Sequence, residues 1–415
     1  MSPPTYPKPG PGRRWDAVVV GARCAGAATA MLLARRGWDV LVLDRARPGS
    51  DTLSTHGLVR GGTLQLHRWG LLDRIAAAGT PEIRRTVFHY CEGASVETVT
   101  MSVKPAAGVD RFYAPRRTVS DAVLVDAARQ AGATVRYGTS VIDVMHDDAG
   151  TVTGVLARPR GGAPVEIGAD IVIGADGLRS VVADRVHAAV ERTGIGSGGY
   201  LYGYWTGVPV DGYEWFYRTG VMAGMFPTND GRTCVLMGGA AAPVRRLGGG
   251  AVDRLLAAAH PSLAARVRAG VPDGPVRAFT APPGYLRRAH GAGWALAGDA
   301  GQWKDPAGMH GMTDAFRDAE FLARALLAAP EPGRHRDLAL ADYQAIRDRL
   351  CVPMFDVVDE IAAFEWTVAR LRRLLLEMSS AMAAEVEALA ALDKHGHDQP
   401  AAPPGSRDGR VTAVT

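Results

Sequence analysis

The apolar run Ala17-Val18-Val19-Val20 ends in Gly21-Ala22-Arg23-Cys24-Ala25-Gly26, and a second run, Val40 to Leu43, closes on Asp44. These residue types at this spacing can hold a dinucleotide. Gly21 allows a tight exit from a buried parallel strand, and Gly26 lets the next helix pack close to the sheet. The start of that helix, read as Cys24 to about Arg36, offers free N–H groups and positive dipole to a pyrophosphate. Asp44 can accept both hydroxyls of an adenosine ribose. Arg23 stands where a second glycine is usual; its Cβ limits backbone approach, and its guanidinium supplies charge. Alone, the stretch also reads as a glycine-rich turn without a ligand.

Two more segments lie far downstream: Gly174-Ala175-Asp176-Gly177, and Gly298-Asp299 followed by Asp305-Pro306-Ala307-Gly308-Met309-His310-Gly311-Met312-Thr313. Gly308 and Gly311 permit a backbone path close to a flat ring. A helix starting near Gly311 aims its dipole at that ring. Reduced flavin carries negative charge at N1 and C2=O, which such a dipole stabilises. By itself the last segment reads as a loop capping a helix. The three in this order point to a flavoprotein.

Flavin chemistry needs few protein acids and bases. His56 and His310 are the candidates, with His310 in the ring-facing loop and His56 in a loop approaching from the other side. Each also reads as a hydrogen-bonded structural histidine. Lys304, one of only four lysines, reads as a charge beside the flavin or substrate, or as a solvated surface lysine.

The positioning elements follow from pattern. A chain of 415 residues exceeds one ordinary core. The expected fold is α/β: a Rossmann-like FAD-binding domain, a second mixed antiparallel-sheet substrate domain, and a helical C-terminus. The expected boundaries are a flexible lead-in at 1–14, FAD-binding segments 15–80, 114–185 and 284–330, and substrate segments 81–113 and 186–283. C-terminal helices then occupy 331–395 and a disordered tail 396–415. Helices are expected over 62–78, 117–130 and 311–327, and over 337–392 with a break near Pro353. Residues 190–283 read as an antiparallel sheet, with Tyr202, Tyr204, Trp205, Trp215 and Phe216 as candidates for the roof of a pocket.

Apolar residues make up 47% and charged residues 22%, with a net charge of +4 from scattered arginines, so no nucleic-acid partner is expected. Cys24, Cys91, Cys234 and Cys351 show neither disulfide nor metal spacing. No apolar run spans a bilayer. A cytoplasmic monomer or homodimer acting on a small molecule is expected, with no metal.

From about residue 15 to 330 the chain resembles the p-hydroxybenzoate hydroxylase-like and geranylgeranyl reductase-like FAD-dependent oxidoreductases, the class A flavoprotein monooxygenase fold. The motifs above carry this, with Arg117-Thr118-Val119-Ser120-Asp121 and Ser180. The resemblance implies that Gly21, Ala22, Arg23, Cys24, Ala25 and Gly26 hold the pyrophosphate and Asp44 the ribose, with Arg45 and Thr55 nearby. It implies that Arg117 contacts the cofactor and Val141 passes under the adenine. Asp176 and Gly177 would lie near the pyrophosphate, implicated in pyridine nucleotide use. Gly298 and Asp299 would hold ribityl or pyrophosphate. Pro306, Gly308, Met309, His310, Gly311 and Met312 would line the isoalloxazine. Departures are Ala183 where arginine is usual, Gly301-Gln302 for Ala-His, and Thr313 for asparagine. The Trp-x-Trp pair of flavin halogenases is absent, as is a second nucleotide fingerprint.

Three activities follow from this likeness. The first is an NAD(P)H-driven monooxygenase in which a C4a-hydroperoxyflavin transfers oxygen to an aromatic or natural-product substrate, NAD(P)H binding transiently. The second is a flavin-dependent reductase or dehydrogenase. The third is a redox-neutral cyclase or scaffold with structural FAD.

Overall fold

The computed structural model describes residues 13–392, so the first twelve residues and the expected tail lie outside it. The first sheet is built on four neighbouring parallel pairings. Five of its eight strands run, in order, Trp294–Leu296, Val165–Gly174, Arg14–Val20, Val40–Asp44 and Thr134–Tyr137. The chain moves outward from Arg14–Val20 in one direction, then returns to its other side. The resulting switch point, between Arg14–Val20 and Val165–Gly174, is where open α/β sheets bind ligands. The Cys24–Ala34 helix is rich in alanine and buried on nearly every side. That thinness lets it lie between the sheet and the helices Arg117–Gln130 and Gly311–Ala328.

The second sheet runs Val271–Pro272, Gly198–Thr206, Arg232–Ala240, Val221–Thr228, Tyr213–Arg218, Arg85–Glu92 and Ser95–Ser102. It is antiparallel except where Tyr213–Arg218 pairs parallel with Arg85–Glu92. The α/β fold with a mixed second sheet and helical C-terminus is therefore present.

Three local expectations are corrected. Residues 190–283 are not sheet alone: helices Ala241–Arg245, Ala251–Ala259 and Pro261–Ala269 cover the outer face. The helix expected over 62–78 is two, Arg60–Arg68 and Leu72–Ala77, parted where Gly70 takes φ +71°. The C-terminal break is not at Pro353. The helix Arg334–Ala363 runs through it, held by buried Leu350, Cys351, Met354, Phe355 and Val358. The chain turns instead at Phe364, φ 59°, before the helix Val368–Ala391.

Candidate active site

The three motifs meet at the carboxyl edge of the first sheet. Gly21 (φ +104°) lies so close to the Ala175–Asp176 turn that a Cβ there would meet the Ala175 carbonyl. A Cβ on Gly26 would collide with the Gly21 carbonyl oxygen, and one on Gly298 would lie 3.0 Å from the Ala25 Cβ. Neither the Cys24–Ala34 helix nor the Gly311–Ala328 helix has a side-chain cap at its start. Their first N–H groups are left for an outside acceptor.

A cleft at this edge is lined by Ala22, Arg23, Asp44, Arg117, Asp121 and Tyr137, among others. Asp44 is buried; its two carboxylate oxygens accept the Ala22 and Ala46 N–H groups at 2.8 and 2.7 Å. Asp121 organises the basic side. It accepts Arg117 at 3.0 Å and Arg23 at 3.1 Å, and the Cys24 thiol at 3.5 Å. Burial pushes the Cys24 thiol up to about 12, which leaves it a neutral packing group. The sequence pattern marked Asp121 only as part of the motif begun by Arg117, and it gave no sign of Tyr137 as a site residue. Asp121 sits one helical turn after Arg117, a spacing that announces the pair. Arg45 is exposed and Thr55 half-buried. Val141 turns its side chain into the core beside Val18 and Leu41, away from the cleft.

Asp176 does not turn its carboxylate to that cleft. It accepts the Ser180 hydroxyl at 2.5 Å and the Val181 N–H at 2.6 Å, fixing the start of the short Val181–Arg185 helix. Gly177 stands in open space at φ +83°. Asp299 is half-buried, and its carboxyl is pushed up to about 7 by burial and by Asp314, against the pull of Arg117 and Lys304.

The loop Pro306–Gly308 leads through Met309 (φ 48°) and His310 into the Gly311–Ala328 helix. Nothing lies within 4 Å of where a Gly311 Cβ would point, and Gly311 is exposed between buried neighbours. Met309 packs its sulfur against Gly57, so the 54–58 loop does face the 306–311 loop. Gly311→Leu is expected to leave the melting of the cofactor-free protein within about 1 kcal/mol. It should weaken FAD binding about tenfold or more, read by flavin fluorescence titration.

His56 is buried at φ 46°. Its Nδ1 lies 3.2 Å from the Ala114 carbonyl and so carries the hydrogen. Its Nε2, 3.0 Å from the Tyr204 hydroxyl, is then the acceptor. Burial first, and Arg116 next, push its pKa down to about 3. His56 is thus held as a neutral group that ties the loop to the second sheet. Tyr202 and Tyr213 hold the same loop through the Ser54 and Leu58 N–H groups at 3.2 and 3.0 Å. Tyr200, Tyr202, Tyr204, Tyr213, Trp215 and Tyr217 share the inner face of this sheet, with Phe364 and Trp366 packed against it. Trp205 and Phe216 face the outer helices instead and leave the expected roof.

Lys304 is not a solvated surface lysine. It is buried and donates to Asp314 at 2.8 Å and Gln302 at 2.7 Å. Asp314 also accepts Arg317 at 2.7 Å, and Arg317 donates to Asp318 at 2.8 Å. Asp318 in turn accepts the Gly298 N–H at 3.1 Å, tying this network to the motif loop. His310 is buried, with Nε2 2.6 Å from Glu385 on the Val368–Ala391 helix. Glu385 was absent from the sequence reading.

The decisive comparison is with a family model described as FAD binding domain, which matches residues 14–356. The chain belongs to this family. Its fold is that of the class A FAD-dependent monooxygenases. Aklavinone 12-hydroxylase RdmE of Streptomyces purpurascens is 32% identical over 205 residues, covering 45% of this chain and 37% of that protein. Menaquinone reductase of Mycolicibacterium smegmatis is 35% identical over 173 residues, covering 41% and 39%. The chain thus spans about two-fifths of the length of these curated relatives. The structure of PqsL from Pseudomonas aeruginosa, in complex with 2-aminobenzoylacetate, superposes with a TM-score of 0.76 at 20% identity. That likeness covers 88% of this chain and 100% of PqsL.

FAD fits the residues present. The uncapped helix starts suit its pyrophosphate and the pyrimidine end of its ring. Space stands open at Gly311, with no protein atom within 4 Å of where its Cβ would point, and the Arg117–Asp121 pair supplies cation and acceptor at the cleft. Among the described residues, no helix is long and apolar enough to cross a membrane.

Proposed function

We propose that this chain is an NAD(P)H-driven FAD-dependent monooxygenase that inserts oxygen into a small or mid-sized aromatic or natural-product molecule. One observation carries the reading. The uncapped helix start at Gly311 opens beside a loop whose far side is held by an inner sheet face of five tyrosines and Trp215. Bound FAD supplies electron transfer and, once reduced, the activation of O2.

The protein's own residues supply the rest. Backbone N–H groups at Gly21–Gly26, with Arg23 and Arg117, would hold the pyrophosphate, and Asp44 the ribose. The N–H groups at the Gly311 start would favour negative charge on the nearby end of the ring. The aromatic face would bind an apolar, planar substrate and exclude water. His56 would hold the 54–58 loop in place as a neutral hydrogen-bonding group. NAD(P)H would bind transiently on the existing surface, in keeping with the single nucleotide fingerprint. The relative named menaquinone reductase keeps hydride or electron transfer without oxygen insertion as the competing activity.

The first stage of the test needs no substrate, and the second adds an aromatic one. Photoreduce the bound flavin without oxygen, then mix with O2 in a stopped-flow spectrometer. A transient absorbing species before the oxidised spectrum returns, followed by 18O from O2 in the product of an aromatic substrate, is the expected result. Reduced flavin that barely reacts with O2 would overturn it in favour of a reductase.

A further inference from the structure

The mechanism leaves one buried cluster unexplained. Behind the start of the Gly311–Ala328 helix lie three carboxylates, Asp314, Asp318 and Glu385, against two fixed cations, Lys304 and Arg317. All five are buried. Asp314 takes Lys304 and Arg317, and Asp318 takes Arg317. Glu385 reaches Arg317 only at 3.7 Å, while its Oε2 stands 2.6 Å from His310 Nε2. A buried carboxylate needs a cation of its own or must take up a proton.

We propose that Glu385 is the positioning residue of the flavin site: it holds a protonated His310 as the missing third cation, at the amino end of the Gly311–Ala328 helix. The helix dipole opposes a cation at that place, so a charge of opposite sign must be supplied from outside the helix. The Val368–Ala391 helix supplies it. The Arg60–Arg68 helix brings the uncharged Gly61 and Gly62 to this side, where a Cβ on either would crowd Thr313. Lys304 neighbours the Cys351 thiol at 3.1 Å, which burial keeps neutral. Asp299 faces the cluster as well, and the Arg334–Ala363 helix adds Tyr343 and Arg347 near Asp318. With Nε2 fixed on Glu385, the Nδ1 of His310 is buried and has no partner within the protein. A protonated ring makes that Nδ1 a charged donor next to the loop that lines the ring. Its charge would favour the reduced, anionic flavin over the oxidised one. The inference rests on the flavin-facing reading of the Gly311 start, but not on oxygen insertion.

The experiment is a 15N titration of histidine-labelled holoprotein, in which His310→Gln assigns the His310 ring among the eleven histidines. The expected result is that both ring nitrogens of His310 carry hydrogen at pH 8. In Glu385→Gln, which keeps the size but not the charge, the protonated fraction should fall about tenfold or more, one pH unit in the ring's midpoint. The preference for reduced over oxidised flavin should fall in parallel. A neutral His310 ring at pH 8 in the unmodified protein overturns the proposal, even if the variant does not fold. So does an unchanged ring in a folded Glu385→Gln protein. The ring titration involves no turnover, so a failure of the monooxygenase reading would leave its outcome intact.

Discussion

Replacing Gly26 by alanine is expected to strip FAD from the purified protein and to destabilise the chain by about 1–3 kcal/mol, the usual cost of overpacking a tight interior. The added methyl would collide with the Gly21 carbonyl oxygen and lie 3.1 Å from Val19 Cγ1. Neither neighbour can yield. Gly21 donates its N–H to the Leu43 carbonyl at 2.8 Å and is pressed against the Ala175–Asp176 turn. The Cys24–Ala34 helix must therefore back away from the sheet. Its opposite sides are covered by the Arg117–Gln130 and Gly311–Ala328 helices, so the displacement strains those contacts too. The retreat withdraws the N–H groups from the pyrophosphate, so stability and cofactor binding fall together. The ratio of flavin to protein absorbance and a thermal melt read both. Full flavin content in Gly26→Ala would show that the pyrophosphate lies elsewhere. The contrast with Gly311→Leu is the useful one: there no protein atom lies within 4 Å of the new Cβ, and the cofactor should be affected far more than the fold.

The parallel sheet and its site were legible because glycine leaves a mark in sequence. Gly21, Gly26 and Gly298 stand where a Cβ would meet backbone or a packed helix, and Gly311 opens onto free space at a helix start. Asp44 and Arg117 were legible for the same reason, lying at the end of a strand and the start of a helix. The partners of the candidate side chains were not. Glu385 lies 75 residues from His310, and only the return of the last helix over the Arg60–Arg68 helix brings them together. Lys304 looked solvated because its two nearest acceptors, Gln302 and Asp314, appear ordinary until the loop folds back on its own helix. His56 read as an acid or base because histidine titrates near neutrality in water; its burial against Tyr204 and Ala114 is a tertiary fact. The outer helices of the second sheet were hidden for another reason. The helices Ala251–Ala259 and Pro261–Ala269 are nine residues each, too short for a clear helical period. Pro353 misled in the opposite direction, since a helix with one well-buried face tolerates a proline that local propensity forbids.

Arg317→Met should cost about 3–5 kcal/mol at neutral pH, the penalty for leaving buried charge uncompensated. Arg317 is fully buried and serves three carboxylates: Asp314 at 2.7 Å, Asp318 at 2.8 Å and Glu385 at 3.7 Å. Methionine fills similar volume but returns no charge. The pH dependence identifies the cause. Burial alone would raise the Asp314 carboxyl, but Lys304 and Arg317 hold it well below the ordinary range. Burial likewise opposes Glu385, and His310 and Arg317 bring it down. Carboxyls depressed in the folded state stabilise the protein above their unfolded values, about 4, and lose that contribution as pH falls through the folded ones. In the variant the sign reverses for a carboxylate robbed of its cation: burial favours the neutral form, so its penalty grows as pH rises. The stability difference between the two proteins, measured by urea unfolding, should therefore be larger at pH 8 than at pH 5. A difference independent of pH would mean that lost packing around the guanidinium stem dominates. Because Asp318 also holds the Gly298 N–H, the same substitution should loosen the motif loop, and FAD affinity should fall with stability. That coupling is the physical role of a salt-bridge cluster beneath the motif loop: it fixes the loop's backbone while the start of the Gly311–Ala328 helix stays uncapped.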